Sequence, residues 1–538
     1  MQHPRRLAVC ALGGLAVAAA PMLVAPRTAS AATTTFTVTT ATDPTTGTAC
    51  PAAGGSPCSL RAAVAAADAL GSGSTVVIDF AVKGPFDVGT NGSLNVSGGE
   101  DLTIQGASDG STVVDGGGLV RPFSESAISC PRGSTTLTLS MLTVTNGHAA
   151  ASTAGPDDGF GGGIDVDCGN ALHVVDSTFS KNTADNGGGA IDDNTTSTVT
   201  VLRSAVTGNT ASGAILASPP DGGGGIELST AGTLTVIDST LSGNQSAWDG
   251  GGIFAVTGAT MTLVNDTVAG NTAPSGKAGG ISAAANLTSS IGNTIVSGNT
   301  PANCSGTLTD GGNNLEQGTS CGFATKAVGA DPKLGALQSN GGPTETMALN
   351  PGSPAIDAAS DTVCAAAVTA SPPGAGGLDQ RSATRPQGAH CDIGAFEVVA
   401  TTTTLSAPTT AKAGDPLTLT ATVSPAQPIP GEPTGTVTFL DGSTVLGTGQ
   451  LSGSSPDTAG FSLTAPSTGT HVLTARFEQT PLFLSSTSAG VTLSILITPP
   501  NAGASGVPAG GSPLPLGAGI LGGAAAVLVA RRVMAKRR

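Results

Sequence analysis

The chain has 538 residues, of which 11% are charged and 39% hydrophobic, with 79 glycines, no Tyr, one Trp and a formal net charge of −15. All 36 acids lie between the two apolar ends, which hold eight of the 21 basic residues, so no basic patch is left to neutralise phosphates and nucleic acid is excluded as a partner. So little charge suits a Thr/Ser-faced β-solenoid better than a compact globule, and the scarcity of aromatic side chains counts against a long groove that stacks sugar rings.

Residues 1–31 read as a secretory signal: Arg5 and Arg6 precede an apolar run, and Ala29-Ser30-Ala31 forms an A-x-A cleavage site. Export would leave eight cysteines in four sequence-local pairs, which suits disulfides in an oxidising compartment. The pairs expected are Cys50–Cys58, Cys130–Cys168, Cys304–Cys321 and Cys364–Cys391. Residues 32–135 begin with a strand at Phe36-Thr37-Val38. Ser59 then caps the one convincing helix, from Leu60 to Ala67. A short apolar helix at this point is placed to cover the open end of a solenoid, whose strands continue near Val76-Val77-Ile78 and Leu102-Thr103-Ile104.

Residues 136–300 repeat. Ile164, Ile191, Ile226, Ile253 and Ile281 each follow a glycine-rich turn, 27, 35, 27 and 28 residues apart. Asn182, Asn209, Asn244, Asn271 and Asn299 keep the same intervals. The unit is therefore about 27 residues, with an eight-residue insertion between Asn and Ile that marks a loop. Within each unit apolar residues alternate with Thr or Ser, as in Thr233-Leu234-Thr235-Val236-Ile237, and no unit has room for a crossover helix. Strands joined by turns at this period predict an all-β parallel β-helix whose coils stack roughly 4.8 Å apart. The isoleucines would form a buried stack and the asparagines a hydrogen-bonded ladder.

One constellation in the repeat could carry chemistry. The residues after the turn isoleucines are Asp165, Asp192, Glu227, Phe254 and Ser282. With the isoleucines inward, these side chains are expected to point outward from one face, as a solvated acidic stripe. The same three carboxylates are the weak candidates for a catalytic pair in a polysaccharide lyase or hydrolase and for a Ca²⁺ site. Trp248 and Asp249 sit on the neighbouring corner as ligand-binding candidates, with the insertion loops 157–160 and 218–221 overhanging it. No basic residue is expected near the column, which disfavours a lyase. Two G-x-S-x-G matches, at 106–110 and 318–322, lack the strand–turn–helix context of a nucleophile elbow, and no cofactor motif is present.

Cys58-Ser59-Leu60-Arg61-Ala62-Ala63 resembles the CSLREA signature of secreted bacterial right-handed β-helix proteins, with Ala62 in place of the family's Glu. Residues 301–398 hold a second series: Asp331-Pro332-Lys333-Leu334-Gly335, Asn340-Gly341-Gly342-Pro343-Thr344, Gly352-Ser353-Pro354-Ala355-Ile356-Asp357, Asp379-Gln380-Arg381, Arg385-Pro386 and Cys391-Asp392-Ile393-Gly394-Ala395-Phe396-Glu397. This series resembles the choice-of-anchor Q module, whose bearers are secreted and tethered by varied C-terminal devices. The resemblance implies an architecture and a surface location rather than a reaction. Asp357, Asp379, Arg381, Arg385 and Asp392 are expected to form an ion-pair cluster closing the far end of the solenoid.

Residues 399–496 alternate at sandwich spacing, as in Thr418-Leu419-Thr420-Ala421-Thr422-Val423, and resemble a bacterial Ig-like repeat. A Pro/Gly/Ser linker fills 497–513. Residues 514–530 carry no charge and precede a basic tail, 531–538, so they read as a transmembrane helix with the tail inside the cell. The expectation is an exported, membrane-anchored surface protein for adhesion, envelope interaction or structural display. Its partners would be the membrane, through that helix, and an extracellular glycan or surface protein.

Overall fold

A computed structural model describes residues 32–44, 50–51, 57–125, 135–151, 159–167, 169–194, 196–213, 222–274, 276–324, 329–429 and 431–497. The expected signal, the linker from 498 on, the transmembrane helix and the basic tail lie outside these residues, as do Cys130 and Cys168. Among the described residues no helix is long and apolar enough to cross a membrane.

The repeats stack as three long parallel sheets. The first has ten strands, running from Thr34–Val38 through strands such as Ala171–Val175 and Thr233–Ile237 to Asp310–Gly312. The second has nine, including Thr178–Ser180, Ala205–Thr207 and Thr240–Ser242. The third has eight, including Ile164–Val166, Ile191–Asp193 and Ile226–Leu228. From Thr136 to Gly292 each coil pairs in register with the next, so equivalent residues form columns along the axis.

Period-2 alternation sends one set of side chains inward. Leu172, Val199, Leu234 and Met261 stack from the first sheet and Phe179, Val206, Leu241 and Val268 from the second, all fully buried. The five turn isoleucines complete this core, also fully buried and in mutual register, as the repeat predicts.

The asparagine ladder forms. Each amide oxygen accepts from the side-chain and backbone N–H of the preceding rung: Asn182 to Asn209 at 3.0 Å, Asn209 to Asn244 at 2.9 Å, Asn244 to Asn271 at 2.9 Å and Asn271 to Asn299 at 2.9 Å. Each amide also donates back to a strand carbonyl, as Asn209 does to Phe179 at 3.0 Å. Corner backbone that no sheet bonds is thereby satisfied by side chains. A second ladder, not anticipated from the sequence, runs along the turn between the first two sheets. There Ser177, Ser204, Ser239, Asp266, Thr294 and Asn314 each accept from the backbone N–H of the rung before.

Both ends of the stack are closed. The helix Leu60–Asp68 starts where Ser59 Oγ accepts from Ala62 N–H at 3.2 Å, and it buries Leu60, Ala63, Val64 and Ala67 against the first coil. Arg61 ties it down through Asp43 at 2.7 Å and the Ser93 carbonyl at 2.9 Å. At the other end the Cys304–Cys321 disulfide and Phe323 join the solenoid core. Cys50–Cys58 and Cys364–Cys391 also form as expected.

Residues 329–399 do not close the far end, contrary to the sequence reading. They lie along the flank of the solenoid, over the outward face of the second sheet. Thr344 Oγ1 donates to the Arg203 carbonyl at 3.3 Å, Thr240 Oγ1 to Gln380 Oε1 at 2.6 Å, and Ala395 N–H to Thr267 Oγ1 at 3.1 Å. Ile295 and Leu315, apolar at outward positions, share a core with Ala348, Leu349, Ile393 and Phe396. An outward column that turns from Thr143 and Thr178 to Ala205 and later Ile295 is what makes the flank, rather than the end, the docking surface.

Residues 401–497 form two sheets of three and six strands around Leu419, Val437, Phe439, Phe477 and Leu493. They abut the flanking module through the Val399–Phe483 bridge and through Thr384 Oγ1, which donates to Gln427 Oε1 at 2.6 Å.

Candidate functional site

The acidic column is in register but is not exposed. Asp165 pairs with Asp192 and Asp192 with Glu227 across adjacent third-sheet strands, yet the three residues are 6%, 2% and 2% exposed. The expected solvated stripe is thus overturned. The glycine-rich turns explain the difference, because they fold back over the outward face instead of leaving it to water. Gly187 leaves no space for a Cβ beside Glu227 Oε2, and Gly161 lies against the backbone of Ile164 and Asp165. Phe254, the next member of the column, packs on Gly222 in the same way.

A cation also stands beside the column, contrary to expectation. Arg121 Nη1 lies 3.4 Å from Asp165 Oδ2, and its Nε donates to the Gly161 carbonyl at 2.8 Å. A further bond to the Phe160 carbonyl fixes the same guanidinium, which is 5% exposed. Arg121 belongs to the coil before the repeat begins, so the spacing of the isoleucines gave no sign of it. Held by two carbonyls and a carboxylate, it balances part of the negative charge of the column.

Trp248 and Asp249 are likewise taken into the scaffold. Trp248 Nε1 lies over Gly213 of the preceding coil. Asp249 accepts from Gly250 N–H at 3.0 Å and Ala278 N–H at 2.9 Å, with Lys277 at 3.5 Å. Of the overhanging loops expected, 157–158 and 218–221 lie outside the described residues. Among the described residues no group of three His, Cys, Asp or Glu side chains is arranged to hold a metal ion.

Other acids are buried inside the coils, where alternation puts the second residue after each isoleucine. Asp193 is fully buried beside Ser197, and desolvation pushes its carboxyl up to about 7. Glu125, two rungs away through Val166, is raised well above the ordinary carboxylate range by burial and by the charges of Asp165 and Asp167. Glu100 is pushed up to about 7 by burial and by Asp68.

The predicted cluster in the flanking module does assemble, with two members the sequence reading missed. Arg381 binds Asp379 at 2.7 Å and lies 3.6 Å over the Phe396 ring. Arg385 is fully buried and reaches Glu397 at 3.3 Å, Asp238 of the solenoid at 3.5 Å and the Asp392 carbonyl at 2.7 Å. Asp392 accepts from Asp357 N–H at 2.8 Å and Val398 N–H at 2.7 Å. Asp357 therefore enters through its backbone and not through an ion pair. Burial raises Glu397 to about 8 and Asp392 to about 6, and it raises Asp238 and Asp266 well above the usual range. The cluster is buried, and through Arg385 and Asp238 it ties the module to the solenoid.

The exposed face of the first sheet offers hydroxyls. Thr198 and Thr200, Thr233 and Thr235, and Thr260 and Thr262 form outward pairs on three successive coils. From Thr136 to Gly292 the outward positions of this sheet hold one ionisable side chain, His173, whose burial lowers its pKa. Neither a paired acid and base nor a cation cluster is available there.

Residues 403–496 match the family model described as bacterial Ig-like domain (group 3), and residues 176–192 match the Chlamydia polymorphic membrane protein repeat. No curated protein and no solved structure matches the chain. The chain is thus an all-β protein of long stacked parallel sheets with an Ig-like domain, and its two matches suggest a bacterial surface protein.

Proposed function

We propose that this chain is an exported, membrane-anchored bacterial surface protein that displays its solenoid for adhesion or envelope interaction and carries out no reaction. The observation that supports this reading best is the use of its clustered acids. Asp165, Asp192 and Glu227 lie beneath glycine turns, and Asp238 is buried under the docked module together with that module's own Asp379, Asp392 and Glu397. What remains outward is a broad hydroxyl face on a rigid stack, carried next to an Ig-like domain.

Fractionation of cells producing the full chain tests the anchor. The protein is expected with the membranes, and deletion of 514–538 is expected to release it into the medium. A deletion variant that stays with the cells would exclude the anchor.

A further inference from the structure

The flanking module leaves part of the second sheet uncovered, and the antiparallel pair Leu334–Gln338 and Thr346–Leu349 overhangs that part. Between them lies a cleft of ≈ 560 Å³, with Ser180, Thr207 and Ser242 in register on three successive coils on one wall and Pro343 and Glu345 on the other. A recess of ≈ 330 Å³ continues it past Asn146 and His148, and Lys181 lines both spaces.

Lys181 is the anomaly in this floor. It holds a left-handed φ of 56°, and the equivalent residues on the next four coils are Gly208, Gly243, Gly270 and Gly298, at 62° to 68°. A side chain with a Cβ is disfavoured there, and the glycines keep the cleft floor bare. Lys181 is exposed and makes no ion pair among the described residues. Its backbone is fixed by the first rung of the asparagine ladder, one residue on. Asn146, at the same position on the preceding coil, also holds a left-handed φ, of 50°, so the bare floor begins after Lys181, whose charged side chain lines both recesses.

The lining restricts the ligand. Backbone groups of the second sheet are spent in the ladder between coils, so no strand edge is offered to a peptide. Lys181 shares the cleft lining with Glu345, and Asn146 and His148 of the adjoining recess are held by Asp115 and by Asp185 at 3.2 Å, a charge balance that repels polyanions. Hydroxyls recur at the coil spacing, roughly 4.8 Å, beside one donor and one acceptor with full charge.

We propose that this cleft binds a neutral oligosaccharide, with Lys181 donating to sugar hydroxyls and Glu345 accepting from them. Pro343 and Leu337 supply the apolar wall, and without an aromatic platform the site takes a short segment. The proposal deepens the surface reading and rests on it, since an outward-facing body is what would meet such a chain.

The test is calorimetric titration of the purified full chain with neutral hexasaccharides of β-1,4-glucose, β-1,4-mannose, β-1,3-glucose and β-1,4-N-acetylglucosamine, and with a hexauronate. At least one neutral hexasaccharide is expected to bind with an affinity insensitive to salt, and the hexauronate at least tenfold more weakly. Lys181→Gly should weaken binding tenfold or more while the melting temperature holds or rises, and Glu345→Gln should weaken it similarly. Absence of binding by all four neutral chains overturns the proposal, as does binding that survives Lys181→Gly. A lower melting temperature in Lys181→Gly would make Lys181 a structural residue and overturn it too. Glycan binding by a chain that proves to be retained inside the cell would sink the surface reading and leave the site standing.

Discussion

Asn209 shows how much of this molecule one residue can hold. It is fully buried, donates to Asn244 and Phe179 and accepts from Asn182. Asn209→Ala strands backbone and side-chain groups on both neighbouring coils, so a loss of about 2–4 kcal/mol is expected in urea unfolding. The ladder was legible because asparagine recurs in step with isoleucine. The serine ladder carries the same intervals, from Ser177 to Ser204 to Ser239, but its rungs change to Asp266, Thr294 and Asn314, which hid the period. The acidic column was legible in register and misread in exposure. Alternation says which way a side chain leaves the strand, and it does not say whether a glycine turn folds over it. Asp192, enclosed between Asp165 and Glu227, gains no relief from solvent, so Asp192→Asn is expected to melt at the same or a higher temperature, with no response to Ca²⁺ in either protein. A Ca²⁺-dependent rise that disappears in the variant would return the column to the status of a metal site.

At the scale of elements, the docked module is where sequence reasoning fell shortest. Its motifs gave the cluster of Asp379, Arg381, Arg385 and Asp392, but a motif does not name the surface it packs on. That surface was written in the solenoid itself, in the change of outward residues from Thr143 and Thr178 to Ala205 and Ile295 and in Asp238 at a turn. Arg385 is the tie between the two. Arg385→Met would remove the donor to Glu397 and to the buried Asp392 and Gly394 carbonyls, at about 1–3 kcal/mol for each acceptor left unpaired, and should expose the 329–399 segment to protease before the coils melt. Cleavage patterns and unfolding curves like those of the wild type would remove Arg385 from that role.

The whole molecule should be an acid-favoured fold. Asp193 and Glu100 at about 7, Glu397 at about 8 and Asp392 at about 6 hold their protons to a higher pH than the unfolded chain, which loses them near pH 4. Raised carboxyl pKa values give stability that is complete below the unfolded value and fades as pH climbs through the folded ones. The melting temperature is therefore expected to fall between pH 5 and pH 8. Each tenfold difference in proton affinity between the folded and unfolded chain is worth about 1.4 kcal/mol, so several such acids together make the fall a large one. A profile that rises over that interval would mean that these acids are ionised in the native protein.

The surface reading is tested most directly by labelling intact cells with an amine-reactive reagent that cannot cross the membrane, followed by peptide mapping. Lys83, with 73% of its side chain exposed on the solenoid, and Lys412, exposed on the Ig-like domain, are expected to be modified on intact cells. Lys536 of the basic tail is expected to react only after lysis. Unmodified Lys83 and Lys412 on intact cells, both reacting once the cells are opened, would contradict the account.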